Sequence, residues 1–143
     1  MSTSNEQLGF VISETARAWR TKLNERLRPL GLSQSRWLVL VHLAKRGDGV
    51  MQKELAEWLS IECPTLVRLL DRMTEDGWIE RRDSTTDRRA KTVHLTDQAH
   101  GIIKQINQVA AQLRSELLVD ITSEDIETTM RVLQQVKQRV VTI

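Results

Sequence analysis

Cysteine is nearly absent, with Cys63 the single thiol in 143 residues. One thiol excludes an intrachain disulfide and fits a reducing cytoplasm. Aromatic residues are scarce: four Trp and one Phe, with no Tyr. No apolar run approaches the roughly 20 residues that a membrane-crossing helix needs, so no membrane association is expected. The opening MSTSNEQ has neither a basic segment nor an apolar core, and no secretory signal is expected there. The three histidines, His42, His94 and His100, stand at no metal-ligand spacing with one another or with Cys63. Nothing resembles a phosphate-cradling glycine loop or a Ser/His/Asp arrangement. The expectation is a non-enzyme without metal or cofactor. What is present is an ordinary globular balance, 40% hydrophobic and 28% charged, in a chain long enough for one domain with a real core. The formal net charge of +2 is too small to argue for a polyanionic partner, so local clustering of charge must carry that argument.

The clustering falls between Met51 and Leu95. MQKELAEWLSIECPTLVRLLDRM reads as helix, tight turn, helix, with Leu55, Ala56, Leu59, Ile61, Leu66 and Leu69 as inward positions, and Leu70 on the same face as Leu66 and Leu69. The break is expected at Ser60-Ile61-Glu62. Helix-turn-helices often carry glycine where Ser60 stands, and serine tolerates that geometry. Pro64 sits in the first turn of the next helix, where a missing N–H costs nothing. Such a pair makes a helix-turn-helix whose second helix can enter a DNA major groove. Trp78–Arg82 and Lys91–Leu95 then read as two strands of a hairpin around a polar loop holding Asp83, Asp87, Arg88 and Arg89. Five basic residues stand against two acidic ones from Arg81 to Lys91, which makes a basic wing.

The flanks are helical. Leu8, Val11, Ile12, Trp19, Leu23 and Leu27 recur at helical spacing over residues 6 to 28, ended by Pro29 and Gly31. Ser33 is placed to cap a helix reaching Ala44, closed by Gly47-Asp48-Gly49, and Val50 can add a short strand to the hairpin. The recognition helix is expected over residues 62 to 76, with Gly77 as its cap. Thr96 caps a long amphipathic helix bearing Ala99, Ile102, Ile103, Ile106, Val109, Leu113 and Leu117. Thr122-Ser123-Glu124-Asp125 resembles a capping box opening the last helix, which carries Ile126, Met130, Leu133, Val136 and Val140. The fold class is mainly α with a small β-hairpin. These terminal helices carry more apolar face than a lone chain needs. They pack on their own chain or in a symmetric dimer, the simplest closed assembly.

Several short segments recur in order over almost the whole chain. They are Ala18-Trp19-Arg20, Arg26-Leu27-Arg28-Pro29-Leu30, Gln34-Ser35-Arg36-Trp37, Gln52-Lys53-Glu54-Leu55-Ala56, Pro64-Thr65-Leu66-Val67-Arg68-Leu69-Leu70-Asp71, Asp76-Gly77-Trp78-Ile79 and Asp87-Arg88-Arg89-Ala90-Lys91 with Leu95-Thr96. With them the chain resembles the MarR family of transcriptional regulators, and it is similar in particular to the SlyA/RovA branch. The resemblance implies one MarR-type domain over residues 1–143. Within it lie a winged helix-turn-helix lobe over 33–95 and dimerisation helices over 1–32 and 96–143. It also implies a homodimer that binds palindromic promoter DNA, with the recognition helix in the major groove and a wing arginine in the minor groove. Many such proteins release DNA when a small aromatic or phenolic acid binds.

Residue chemistry supplies candidates beside that resemblance. Pro64, Thr65 and Arg68 fall on the early, exposed side of the recognition helix, where Thr65 can meet a phosphate or thymine methyl and Arg68 a guanine edge or phosphate. Arg72 either contacts phosphate or pairs with Asp76. Arg89 is the expected wing tip, held by a charge-assisted bond from Asp87, and suits a narrow A·T-rich minor groove. Arg88 is assigned to phosphate, and Gln34, Ser35 and Lys53 to further phosphate contacts. Arg17, Trp19, Arg20, Trp37 and His42 form either an effector pocket for an aromatic carboxylate or ordinary core tryptophans with surface arginines. Cys63 is either a redox-sensitive thiol at a helix N-terminus or a small residue packed near the turn. The rival to a DNA reader is a protein-interaction scaffold.

Overall fold

The computed structural model describes residues 3–47, 49–87 and 89–143. Six helices and three strands are found there: α1 (Ser4–Leu27), α2 (Gln34–Arg46), β1 (Val50–Met51), α3 (Gln52–Leu59), α4 (Cys63–Glu75), β2 (Ile79–Asp83), β3 (Lys91–Leu95), α5 (Asp97–Leu117) and α6 (Ser123–Thr142). Among the described residues, no helix is long and apolar enough to cross a membrane. The chain divides into two compact units, and the boundary, at Ala110/Ala111, falls within α5.

The first unit is built around one apolar cluster. Trp37, Val39, Leu40 and Leu43 of α2 meet Leu55 and Ala56 of α3, Leu66, Leu70 and Met73 of α4, Ile79 and Val93 of the sheet, and Ala99, Ile103 and Ile106 of α5. Leu66, Leu70 and Met73 form the fully buried row of α4, Met73 being the addition to the expected positions, and Leu69 is half-buried against the same core. The spacing 66, 70, 73 is the i, i+4, i+7 repeat of one helical face, so Leu69 falls at its edge.

Capping explains where these helices begin and end. Thr3 opens α1 with a full capping box: its Oγ1 accepts the Glu6 N–H (3.2 Å) and Glu6 Oε2 accepts the Thr3 N–H (2.8 Å). Pro29 lies in a 3₁₀ turn, Arg28–Leu30, and Gly31 follows with φ 76°. Ser33 holds the N-cap position of α2, but its hydroxyl makes no cap bond and lies 3.4 Å from that of Ser35. Helix α4 ends in a Schellman arrangement. Gly77 takes φ 83° and donates to the Thr74 carbonyl (3.1 Å), and Trp78 donates to that of Met73 (3.0 Å). Between α3 and α4, Ser60 itself adopts the left-handed conformation, φ 55° and ψ 43°.

The sheet order is β1-β3-β2, antiparallel throughout. Ile79 faces Leu95, Arg81 faces Val93 and Asp83 faces Lys91. Because side chains alternate along a strand, these six share one side, and Glu80, Arg82, Thr92 and His94 share the other. Asp83 is therefore a strand residue, where the sequence suggested a loop. Thr96 fastens the start of α5 to this layer: its hydroxyl donates to the Gly77 carbonyl (2.6 Å) and accepts the Ala99 N–H (3.3 Å).

Not every apolar residue is covered. On α1, Leu8, Phe10, Val11 and Ile12 are exposed, and Leu27 is its one buried residue. In the second unit, Thr122 Oγ1 accepts the Asp125 N–H (3.1 Å), but no return bond completes the box, the aspartate being a methylene shorter than glutamate. Helix α6 has no buried residue, and Met130, Val132, Val136 and Val140 are exposed.

The left-handed Ser60 generates a test. Ser60→Gly is expected to raise the unfolding free energy by about 0.5–1 kcal/mol, the penalty of a left-handed L-residue less the added entropy of glycine. Urea unfolding at constant m measures it. A lowered midpoint would contradict the assignment.

Candidate nucleic-acid interface

Burial of Leu66, Leu70 and Met73 turns the opposite side of α4 to solvent. Pro64, Thr65, Arg68 and Arg72 are exposed there, and Cys63 is exposed at the first residue of the helix. Thr65, Arg68 and Arg72 follow the i, i+3, i+7 spacing and form one polar stripe. Arg68 Nη2 lies 3.5 Å from Thr65 Oγ1, so the two side chains lean together. Among the described residues Arg72 forms no ion pair with Asp76, whose carboxylate pairs with Arg36 of α2 (3.4 Å). Lys53 is exposed at the start of α3, and Gln34 and Ser35 at the start of α2.

The wing is less basic than its composition. Arg81 points inward and pairs with Asp71 of α4 (2.5 Å). Arg82 pairs with Glu80, two residues earlier on the outer face of β2, and Lys91 with Asp83 directly opposite. Three of the five basic residues thus have carboxylate partners. Arg88 lies outside the described residues. Arg89 is exposed, and no carboxylate among the described residues forms an ion pair with it.

Asp87 does hold Arg89, but not by its guanidinium. Its Oδ1 accepts the backbone N–H of Arg89 at 2.9 Å. This is the reach of an Asx turn: a short carboxylate closes on the amide two residues on. The tie fixes the backbone and leaves the long side chain free to project.

One hollow of about 410 Å³ brings the wing and the two helices together, with Lys53, Cys63, Val67, Asp87, Arg89 and Lys91 in its lining. Sequence reasoning named four of these and missed Val67 and Lys91. The spatial meeting of residue 53 with residue 89 leaves no mark in a linear pattern. Cys63 is exposed with a free thiol, so it is not a packed turn residue.

The second candidate group is only partly assembled. Trp19, Arg20 and Trp37 line a hollow of about 260 Å³ with Leu23 and Leu38. A neighbouring hollow of about 420 Å³ has Arg17, Arg20 and Gln34 in its lining. Trp37 is a core residue, 3% exposed, whose Nε1 donates to Asn24 Oδ1 (3.0 Å). His42 instead stacks on Trp58 of α3 (centroids 6.4 Å apart), and Arg46 covers the same indole (5.1 Å). Burial, then the charges of Arg46 and Arg20, push the His42 pKa below its ordinary value of 6.5.

Two predictions arise here. Asp87→Asn, which keeps the acceptor oxygen, should retain hydrogen-exchange protection of the Arg89 amide, whereas Asp87→Ala should lower it by about three- to tenfold. Equal loss in both would mean that charge, not the acceptor, matters. For His42, a depressed folded pKa means that the unfolded chain binds more protons in acid, so stability is full above the ordinary pKa and falls as pH drops through it. The unfolding free energy should therefore decline as pH falls through about 6.5, the ordinary value, toward the lowered folded one. His42→Gln should flatten that decline, and an unchanged slope would overturn the assignment.

Comparison with known proteins agrees with this geometry. The MarR family pattern is matched over residues 32–91. The transcriptional regulator PA3341 is 40% identical, with 95% of this chain and 99% of that one covered at a TM-score of 0.87. Wild-type MarR from Escherichia coli, without ligand, is 31% identical over 90% of this chain and 95% of that one, at a TM-score of 0.76. A cysteine-to-serine variant of that MarR, solved with operator DNA, is also 31% identical, covering 90% and 92% at a TM-score of 0.75. Since full-length likeness at this identity accompanies the winged helix-turn-helix described above, the chain belongs to the MarR family of DNA-binding transcriptional regulators.

Proposed function

We propose that this chain is a cytoplasmic, homodimeric regulator that reads palindromic promoter sites through α4 and the wing, in the manner of the SlyA/RovA branch. The observation that carries this reading is the exposed stripe Thr65, Arg68 and Arg72 on α4, together with an exposed Arg89 that forms no ion pair among the described residues. Arg68 reads a base edge or grips phosphate, with Pro64 and Thr65 beside it, and Arg72 contacts phosphate. Arg89, its backbone tied by Asp87, enters the minor groove. Arg88, Lys53, Gln34 and Ser35 add phosphate contacts. Residues 33–95 form the DNA-binding lobe, and 1–32 and 96–143 the dimerisation helices of one MarR-type domain. Support for the dimer is the exposed apolar side chains of α1, from Leu8 to Ile12, and separately those of α6.

A small aromatic carboxylate is the effector this reading assigns to the Trp19–Arg20–Trp37 hollow, with Arg17 beside it. His42, stacked on Trp58, lies outside the lining of that hollow and is not assigned to it. A second mode of control rests on Cys63, an exposed thiol in the groove between helix and wing, where an oxidised and enlarged sulfur obstructs the approach to DNA.

Selection from a random duplex library at near-physiological salt tests the DNA reading. An enriched palindrome with half-site centres about one helical turn apart is expected. On the enriched duplex, Arg68→Ala and Arg89→Ala should each weaken binding by about 1–3 kcal/mol without unfolding the protein. No enrichment by a folded dimer would favour the interaction-scaffold alternative, and unchanged affinity in both variants would sink the site assignment.

A further inference from the structure

The wing loop converges on a single hydroxyl. Ser84, half-buried just after β2, accepts at Oγ the backbone N–H of Thr86 (3.2 Å) and of Asp87 (3.3 Å). The same Oγ lies 3.1 Å from that of Thr86. The Ser84 N–H donates across the loop to the Ala90 carbonyl (3.0 Å), and the Ala90 N–H donates to the Asp87 carbonyl (3.1 Å). Asp87 Oδ1 then takes the Arg89 N–H. Below the loop, Asp83 and Lys91 close the strand ends as an ion pair. A continuous chain of bonds runs from Ser84 through Asp87 to Arg89.

We infer that Ser84 is a positioning residue that determines how sharply the wing discriminates A·T-rich flanks. The inference rests on the proposed entry of Arg89 into the minor groove. A guanidinium can sense groove width only if its backbone is held at a fixed place and direction. On a loose loop the same charge finds the nearest phosphate, which adds attraction without sequence information. Ser84 supplies the holding. Its two accepted amides fix Asp87, and the Asp87 carboxylate is left with the Arg89 amide as its partner in the loop. Removing the hydroxyl hands two loop amides to water, which relaxes the loop without opening the core.

Parallel selections from one random duplex library separate the possibilities, using the full chain as wild type, Ser84→Ala, Ser84→Thr and Arg89→Ala. The wild type is expected to enrich A·T pairs beside each half-site, and Arg89→Ala to lose that preference. Ser84→Ala should reduce it by about three- to tenfold, the worth of a hydrogen bond, while the half-site sequence is enriched as before. Ser84→Thr, which keeps the hydroxyl, should restore it. If Ser84→Ala keeps the flank preference that Arg89→Ala loses, the inference is overturned and the wing reading stands. If the wild type shows no flank preference, or Arg89→Ala retains it, the wing reading falls and the inference with it. Parallel loss of half-site enrichment in Ser84→Ala, or failure of Ser84→Thr to rescue, would show a general structural role and reject positioning by the hydroxyl.

Discussion

Leu66, Leu70 and Met73, each fully buried, pin α4 to the core, and the direction of every outward side chain on that helix depends on them. Burying one such side chain is worth about 1.5–3 kcal/mol. Turning α4 by one residue about its axis would exchange this row for polar neighbours and forfeit several kcal/mol. The stripe of Thr65, Arg68 and Arg72 is therefore held in place by hydrophobic packing on the far side of the helix. The Schellman turn at Gly77 and the Thr96 hydroxyl on the Gly77 carbonyl continue that control into the wing and the start of α5.

Electrostatics then edit what the composition offers. Asp71, Glu80 and Asp83 each take a basic partner from the wing strands. Such solvent-exposed pairs contribute little stability, typically about 0–1 kcal/mol. Their consequence is geometric: Arg81 ties β2 to α4, and Lys91 ties the two strand ends. Charge is left on the loop, where Arg89 has no carboxylate partner among the described residues and its backbone is held by Asp87. Of the basic residues described in the wing, Arg89 is the one left without an ion pair, on a loop whose backbone is braced.

The apolar surface follows a different rule. The first unit covers its own core, yet α1 leaves Phe10 72% exposed, and α6, taken by itself, buries nothing. Long helices with uncovered apolar rows are stable only when something covers them, which is why a second copy belongs to the proposed reading.

Most of the local structure was legible in the chain. Helical periodicity located α1, α4 and α5, Pro64 marked the first turn of α4 and Gly77 its end, because each of these depends on neighbours within a few residues, while Val50, paired with the distant Val93, was legible from its apolar character next to the Gly47–Gly49 turn. The departures share a cause. Met73 joined Leu66 and Leu70 in the fully buried row and left Leu69 half-buried at its edge, because face assignment depends on which elements surround the helix. Asp76 chose Arg36 over Arg72, and Arg81 chose Asp71, because ion pairs form across space and not along the chain. Asp87 bound a backbone amide instead of a guanidinium because a short carboxylate reaches the nearest fixed donor. The sequence by itself determined the winged helix-turn-helix and its family, and it offered the candidate polar side chains on α4 and the wing. Only the tertiary structure decided which of those charges are neutralised and which are left to act, since long-range pairing is settled by three-dimensional proximity that no linear spacing encodes.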